Sequence, residues 1–159
     1  MNRSIVIAYH DKCMDGLAAA WVVWKCYKRE GHSNEQIKLV PMSYNEESYD
    51  KLYEEVGKLC ANRTEVFVVD FSLPIERVEA LVEHWRVAVH VFDHHKTAFE
   101  KYTDCSNMTK ATGNIPRSCG RRLIRATYVL DNTKCGALVV WDELFTPQGE
   151  LPPPLLAYI

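Results

Sequence analysis

The sequence lacks an apolar run of the roughly 18 residues that a membrane-spanning helix needs. It also lacks a large net charge, because 19 basic and 21 acidic residues leave a formal charge of −2 at pH 7. No global basic field attracts nucleic acid, so any such partner must be held by a local patch. The opening stretch, MNRSIVIAYH, does not have the layout of a signal peptide. We therefore expect a cytoplasmic protein, or one that acts in a host cytoplasm, with no membrane partner.

The six cysteines form no CxxC pair and have no regular spacing. A chain of 159 residues with 47% hydrophobic and 25% charged residues can build its own core without a disulfide framework. We expect the cysteines to be reduced and residues 1–159 to form one domain.

Short apolar runs alternate with amphipathic segments over the first hundred residues. This pattern predicts four strands and three helices: strands at 4–9, 37–42, 65–70 and 87–93, and helices at 15–30, 46–60 and 74–85. The pattern weakens after residue 100, and a last strand at 124–130 and a last helix at 136–145 follow. The alternation predicts an α/β fold: a doubly wound, mostly parallel sheet with helices on both faces.

Polar side chains cluster where these predicted strands end. They are His10, Cys13 and Asp15 after the first strand, Asp70 after the third, and Asp93, His94 and His95 after the fourth. Parallel strands deliver their carboxyl ends to one edge of the sheet, where ligands bind. Crowded carboxylates repel one another, and a divalent cation removes that repulsion. Oxygen and imidazole ligands suit Mn²⁺, Mg²⁺, Fe²⁺ or Zn²⁺, so we expect a metal site at the carboxyl edge.

Each of these residues also has a purely structural alternative. Asp15 is placed to cap a helix, and Asp70 is placed to cap the turn before Pro74. Residues 93–95 are the right types for a hydrogen-bonded loop. All three structural roles would have to coincide to remove the metal site, so we favour the metal.

Three short motifs resemble those of the DHH phosphoesterase superfamily. They are HDKCMDG at 10–16, the aspartate after VFVV at position 70, and DHHK at 93–96. CGALVVW at 135–141 is similar to the start of a helix in the subgroup that has Cys before Asp-Gly. The resemblance implies hydrolysis of phosphodiester or phosphoanhydride bonds at a two-metal site, usually containing manganese.

The resemblance also implies particular metal ligands. His10 would bind the first metal, Asp70 would bridge both, and Asp15 and His94 would hold the second. Cys13 stands in place of an aspartate that is common in the superfamily, with a spacing from His10 that is one residue shorter. A Cys13 thiolate that bound metal would favour Zn²⁺ or Fe²⁺ over Mn²⁺. A cysteine that binds no metal is the alternative.

The same resemblance implies how a substrate is handled. His95 would face the substrate phosphate, Asp93 and Lys96 would orient or neutralise groups around it, and water would be the nucleophile. We expect short oligonucleotides or small nucleotides as substrates, with pyrophosphate or polyphosphate as the alternative. A catalytically weakened nucleotide-binding or protein-interaction module is a further alternative, which Cys13 favours.

In the resembling subgroup, a stretch like LPPPLLAYI leads into a fourth motif that contains an aspartate. This sequence stops at Ile159. We therefore expect either a C-terminal truncation or a substitute acid, for which Asp131 and Asp142 are the candidates. We also expect no separate substrate-binding domain within this chain.

One concentrated basic region lies at 110–125 and contains no acidic residue. Its basic residues are Lys110, Arg117, Arg121, Arg122 and Arg125. Arginine can grip phosphate with two hydrogen bonds, so Arg117, Arg121 and Arg122 are candidates for a phosphate-holding flap. A solvated loop is the alternative.

Overall fold

The computed structural model describes residues 3–60, 63–102, 114–116 and 126–159. Within these residues, six strands form one sheet in the order β2-β1-β3-β4-β6-β5. The strands are β1 (Ile5–His10), β2 (Ile37–Met42), β3 (Glu65–Val69), β4 (Ala88–Asp93), β5 (Asn114–Pro116) and β6 (Ala126–Leu130). The α-helices are α1 (Met14–Arg29), α2 (Glu46–Leu59), α3 (Ile75–Trp85), α4 (Lys96–Lys101) and α5 (Gly136–Leu144). Short 3-10 turns cover Asn34–Gln36, Thr146–Gln148 and Pro154–Tyr158.

Five of the strands are parallel, and β5 pairs antiparallel with β6 at one edge. The central strands are rich in valine and isoleucine and are buried on both faces, which is the pattern of a parallel sheet covered by helices. The predicted α/β fold with a mostly parallel sheet is confirmed.

Two separate cores cover the two faces of the sheet. On one face, α1 and α5 pack on Ile5, Ile7 and Val69. On the other face, α2, α3 and α4 pack on Val6 and Val68. Neighbouring residues of one strand thus point into different cores, because successive side chains of a β-strand point to opposite faces of the sheet. The predicted helices on both faces are confirmed.

The strand order places a crevice above the carboxyl ends of β1 and β3. These strands are neighbours, but β1 leads into α1 on one face and β3 leads into α3 on the other. Ligands of open α/β sheets bind at such a switch point. The topology therefore positions the loops after β1, β3 and β4 to build a common site.

Two elements have no counterpart in the sequence prediction, α4 and β5. Helix α4 has only six residues and buries Ala98, so it is too short to produce a helical hydrophobic period. The predicted basic region lies mostly outside the described residues, including Arg117, Arg121 and Arg122. Among the described residues, no helix is both long enough and apolar enough to cross a bilayer.

Candidate metal centre

Asp70 lies at the centre of the candidate site, directly after β3. Its side chain is fully buried, and its backbone has a φ of +52°. Aspartate is one of the few residues that adopt this left-handed conformation at modest cost. The turn aims the carboxylate into the crevice between the loops that follow β1 and β4.

His10 and Cys13 face one oxygen of the Asp70 carboxylate. The Cys13 thiol donates a hydrogen bond to Asp70 Oδ2 at 3.3 Å. His10 Nδ1 lies 3.7 Å from the same oxygen. His10, Cys13 and Asp70 each offer one donor atom, and these three atoms all lie within 4.8 Å of one another. Burial and the nearby Asp70 carboxylate raise the pKa of the Cys13 thiol, which is therefore protonated when no cation is present.

His94 and His95 face the other oxygen of Asp70. His94 Nε2 lies 3.0 Å from Asp70 Oδ1, and His95 Nδ1 lies 3.9 Å from it. The interaction with Asp70 raises the pKa of His94. Donor atoms of Asp70, Asp93, His94 and His95 also lie within 4.8 Å of one another. The two oxygens of Asp70 thus separate two groups of candidate metal ligands.

Among the described residues, two buried polar atoms of the site have no hydrogen-bond partner. They are Asp70 Oδ1 and His10 Nδ1. His94 Nε2 is close to Asp70 Oδ1 but is not aligned to donate a hydrogen bond to it. Buried polar atoms without partners are costly, and cations bound on the two sides of Asp70 would satisfy them. The residues present therefore fit a divalent metal.

Asp93 holds His95 in place. Its Oδ1 accepts hydrogen bonds from the backbone N–H groups of His94 and His95 and lies 2.6 Å from His95 Nδ1. Its Oδ2 accepts a hydrogen bond from the Ser72 hydroxyl. Burial opposes ionisation of Asp93, but the bonds from His95 and Ser72 outweigh it and lower the pKa of Asp93. Asp93 is therefore an anion whose bonds fix the orientation of the His95 ring.

Asp15 lies beside His94 but also caps a helix distant in sequence. Its Oδ2 accepts a hydrogen bond from the Gly136 N–H at 2.7 Å, and its Oδ1 accepts one from the Ala137 N–H at 2.7 Å. Its Oδ2 is also 3.2 Å from His94 Nε2. A carboxylate at a helix N-terminus satisfies amides that have no partner within the helix. Asp15 thus joins the start of α5 to the site.

The remaining candidates belong to neither group of candidate metal ligands or lie outside the described residues. Lys96 is exposed at the first residue of α4. Asp131 accepts hydrogen bonds from the Thr133 N–H and hydroxyl, and Asp142 pairs with Lys134. Both acids are thus engaged in local contacts near the start of α5. Arg117, Arg121 and Arg122 lie outside the described residues.

The sequence prediction missed two residues that shape the site. Ser72 is buried and donates to Asp93, but an isolated serine three residues after a strand carries no distinctive signal. Gly136 packs directly against Asp70, so that a Cβ added there would come within 2.9 Å of the Asp70 Cβ and Oδ1 atoms. The CGALVVW motif contained Gly136, but its partner could not be read from the sequence.

Comparisons with solved structures find the same fold in larger proteins. An uncharacterized protein from Helicobacter pylori G27 matches with a TM-score of 0.60 and 16% identity, over 91% of this chain and 36% of that chain. RecJ from Thermus thermophilus, solved in complex with Mn²⁺, matches with a TM-score of 0.50 and 19% identity, over 96% of this chain and 19% of RecJ. At these identities the likeness is one of fold. The chain spans about a third of the first protein and a fifth of the second.

Two further comparisons gave no match. No protein-family model matches the sequence. No curated protein matches it either.

The histidine–aspartate pairs predict how the stability of the metal-free protein depends on pH. The pKa values of His94 and His95 are raised above the ordinary 6.5, and that of Asp93 is lowered below the ordinary 3.8. The stabilisation that His94 and His95 add to the free energy of unfolding is complete below pH 6.5. It is lost as pH rises through their raised pKa values. The stabilisation that Asp93 adds to the free energy of unfolding is present above pH 3.8. It is lost as pH falls through the lowered pKa of Asp93.

We therefore expect the free energy of unfolding of the metal-free protein to decrease as pH rises above 6.5. Urea unfolding with a chelator, on both sides of that pH, measures the change. His94→Asn should reduce the dependence, whereas His84→Asn, on the distant helix α3, should keep it. A free energy of unfolding that stays constant as pH rises above 6.5 would refute the pairing of His94 and His95 with the aspartates.

Asp15→Ala should destabilise the metal-free protein by about 1–2 kcal/mol, because two amides at the start of α5 lose their acceptor. Chemical unfolding in the presence of a chelator measures this effect. Asp142→Ala, which removes an exposed pair with Lys134, is the matched control and should cost less than about 1 kcal/mol. A loss of stability seen only in metal-loaded Asp15→Ala would mean that Asp15 acts as a metal ligand and does little for α5.

Proposed function

We propose that this protein is a divalent-metal-dependent phosphoesterase that hydrolyses phosphoester bonds in short oligonucleotides or small nucleotides. The observation that carries the proposal is the buried carboxylate of Asp70, which has His10 and Cys13 at one oxygen and His94 and His95 at the other. A carboxylate placed between two ligand groups is what two neighbouring metal ions require.

His10, Cys13 and Asp70 would hold one cation, and Asp70 and His94 would hold the other, with Asp15 beside it. When bound, such cations lower the pKa of water and stabilise charge on phosphoryl oxygens. Manganese is the first choice of metal, in line with the DHH resemblance and with the Mn²⁺ bound by RecJ.

His95 is the residue proposed to meet the substrate. Asp93 fixes its Nδ1 at 2.6 Å, and 35% of the His95 side chain is exposed. A ring held in this way can present Nε2 to a phosphate oxygen as a hydrogen-bond donor. The raised pKa of His95 favours the protonated ring that does so. Lys96, the next residue, adds an exposed positive charge near that position.

Hydrolysis of a dinucleotide, with and without Mn²⁺, tests the proposal. We expect hydrolysis only with the metal, and His95→Ala should lower kcat by about 10²–10³-fold. His84→Ala is the control, because His84 is an exposed histidine on α3 and contacts Trp85. Inorganic pyrophosphate, assayed in parallel, distinguishes a nuclease from a pyrophosphatase.

Metal-dependent hydrolysis that His95→Ala leaves intact would contradict the role of His95. Metal binding without hydrolysis of either substrate would overturn the enzymatic proposal and would favour a nucleotide-binding module.

A further inference from the structure

We propose that His10, Cys13 and Asp70 form a thiolate-containing site that selects a thiophilic divalent cation, such as Zn²⁺, over Mn²⁺. This inference rests on the proposed function, because it specifies one of the two proposed metal positions. It implies that the two positions differ in chemistry: one has a sulfur donor, and the other has only imidazole and carboxylate donors.

The separations of the donor atoms match those of ligands around one tetrahedral cation. Zinc bonds of roughly 2.0–2.3 Å at tetrahedral angles place two donor atoms about 3.4–3.6 Å apart. The structure has 3.3 Å between Cys13 Sγ and Asp70 Oδ2, and 3.7 Å between His10 Nδ1 and the same oxygen. Two of the three separations are therefore close to those that a small cation imposes, and all three donor atoms lie within 4.8 Å of one another.

The burial of Asp70 and of His10 Nδ1 indicates a bound cation as well as the hydrogen bond between the Cys13 thiol and the Asp70 carboxylate. Asp70 is fully buried, and its Oδ2 is the oxygen that faces Cys13 and His10. The hydrogen bond from the Cys13 thiol satisfies Asp70 Oδ2. It leaves His10 Nδ1, 3.7 Å from that oxygen, buried with no hydrogen-bond partner in the described part of the chain.

The position of Cys13 favours its thiolate form when a cation is bound. Cys13 is the N-cap of α1, a helix of 16 residues, whose N-terminus stabilises a negative charge. Binding exchanges the thiol proton for the cation, and the proton passes to solvent. Three protein ligands with a fourth position open are typical of catalytic zinc sites, and cysteine sulfur, histidine nitrogen and carboxylate oxygen are all zinc ligands.

Most protein sites bind Zn²⁺ more tightly than Mn²⁺, so a preference for zinc alone would prove little. The informative quantity is the change in that preference when sulfur is removed. Cys13→Asp replaces the thiol with a carboxylate, whereas Cys26→Ser removes a half-buried thiol that lies farther along α1 and outside the cluster.

Cobalt is the probe, because Co²⁺ bound to a thiolate has an intense near-ultraviolet charge-transfer band. We expect this band in the parent and in Cys26→Ser, and we expect its loss in Cys13→Ser and Cys13→Asp. In competition experiments, Cys13→Asp should lower the ratio of bound Zn²⁺ to bound Mn²⁺ at least about tenfold. Circular dichroism of each variant checks that the fold is intact.

Parent protein that binds Co²⁺ without the band, or a band that survives Cys13→Ser, would overturn the thiolate site and leave the proposed function standing. Parent protein that binds no Co²⁺, Zn²⁺ or Mn²⁺ would overturn both.

Discussion

Asp70→Asn should abolish metal-dependent hydrolysis, with activity falling at least about 10³-fold. The change removes the negative charge that would hold both cations, but it retains the size and shape of the side chain. Asparagine also tolerates the left-handed backbone of position 70, where φ is +52°. The loss of activity should therefore occur without loss of the fold.

Two measurements separate this effect from simple unfolding. Elemental analysis after Mn²⁺ loading should find metal in the parent and little or none in Asp70→Asn. Thermal unfolding with a chelator, at a pH high enough for His94 to be neutral, should give a midpoint for the variant equal to or above that of the parent. A fully buried carboxylate with an unpaired oxygen is costly to the metal-free protein once no protonated histidine faces it.

Asp142→Asn is the matched control, since Asp142 is an acid of α5 that pairs with Lys134 and Thr146. It should leave metal content and activity at the level of the parent. Full activity in Asp70→Asn would rule out Asp70 as the central ligand.

Gly136→Ala should weaken metal binding by about 10–100-fold and destabilise the protein by about 1–3 kcal/mol. The new Cβ would lie 2.9 Å from both the Cβ and the Oδ1 of Asp70, which is closer than real Cβ contacts allow. Either Asp70 or the start of α5 must move. Movement of α5 would also shift the Gly136 and Ala137 amides away from Asp15.

Isothermal titration with Mn²⁺ and urea unfolding measure the two effects separately. Gly149→Ala is the control, because its φ of +77° should cost about 1 kcal/mol while nothing lies within 4 Å of the added Cβ. It should lose stability but keep the metal affinity of the parent. An unchanged metal affinity in Gly136→Ala would show that the close approach of α5 does not position Asp70.

The sequence was sufficient to predict the sheet and the edge at which the polar residues meet. Buried β-branched runs alternate with amphipathic helices, and parallel strands must end at the same edge. Asp70 and His94 could therefore be placed together even though they follow different strands. Their proximity follows from topology and needs no knowledge of side-chain packing.

The contacts that orient the site could not be predicted in this way. Asp15 bonds to amides 121 and 122 residues away, and a helix-capping acid gives no indication of which helix it caps. Ser72 reaches Asp93 only because two loops meet above β3 and β4. Helix α4, which begins directly after His95, is too short to show a helical repeat of hydrophobic residues. It can therefore be recognised only in the folded structure.

Metal content is the most direct test of the central claim that Asp70 lies between two metal positions. Parent protein and His94→Ala would be dialysed against excess Mn²⁺ and analysed for bound metal at equilibrium. We expect about two equivalents in the parent and about one in the variant, because His94 faces only one oxygen of Asp70. A parent that binds no metal, or a variant that binds as much as the parent, would contradict it.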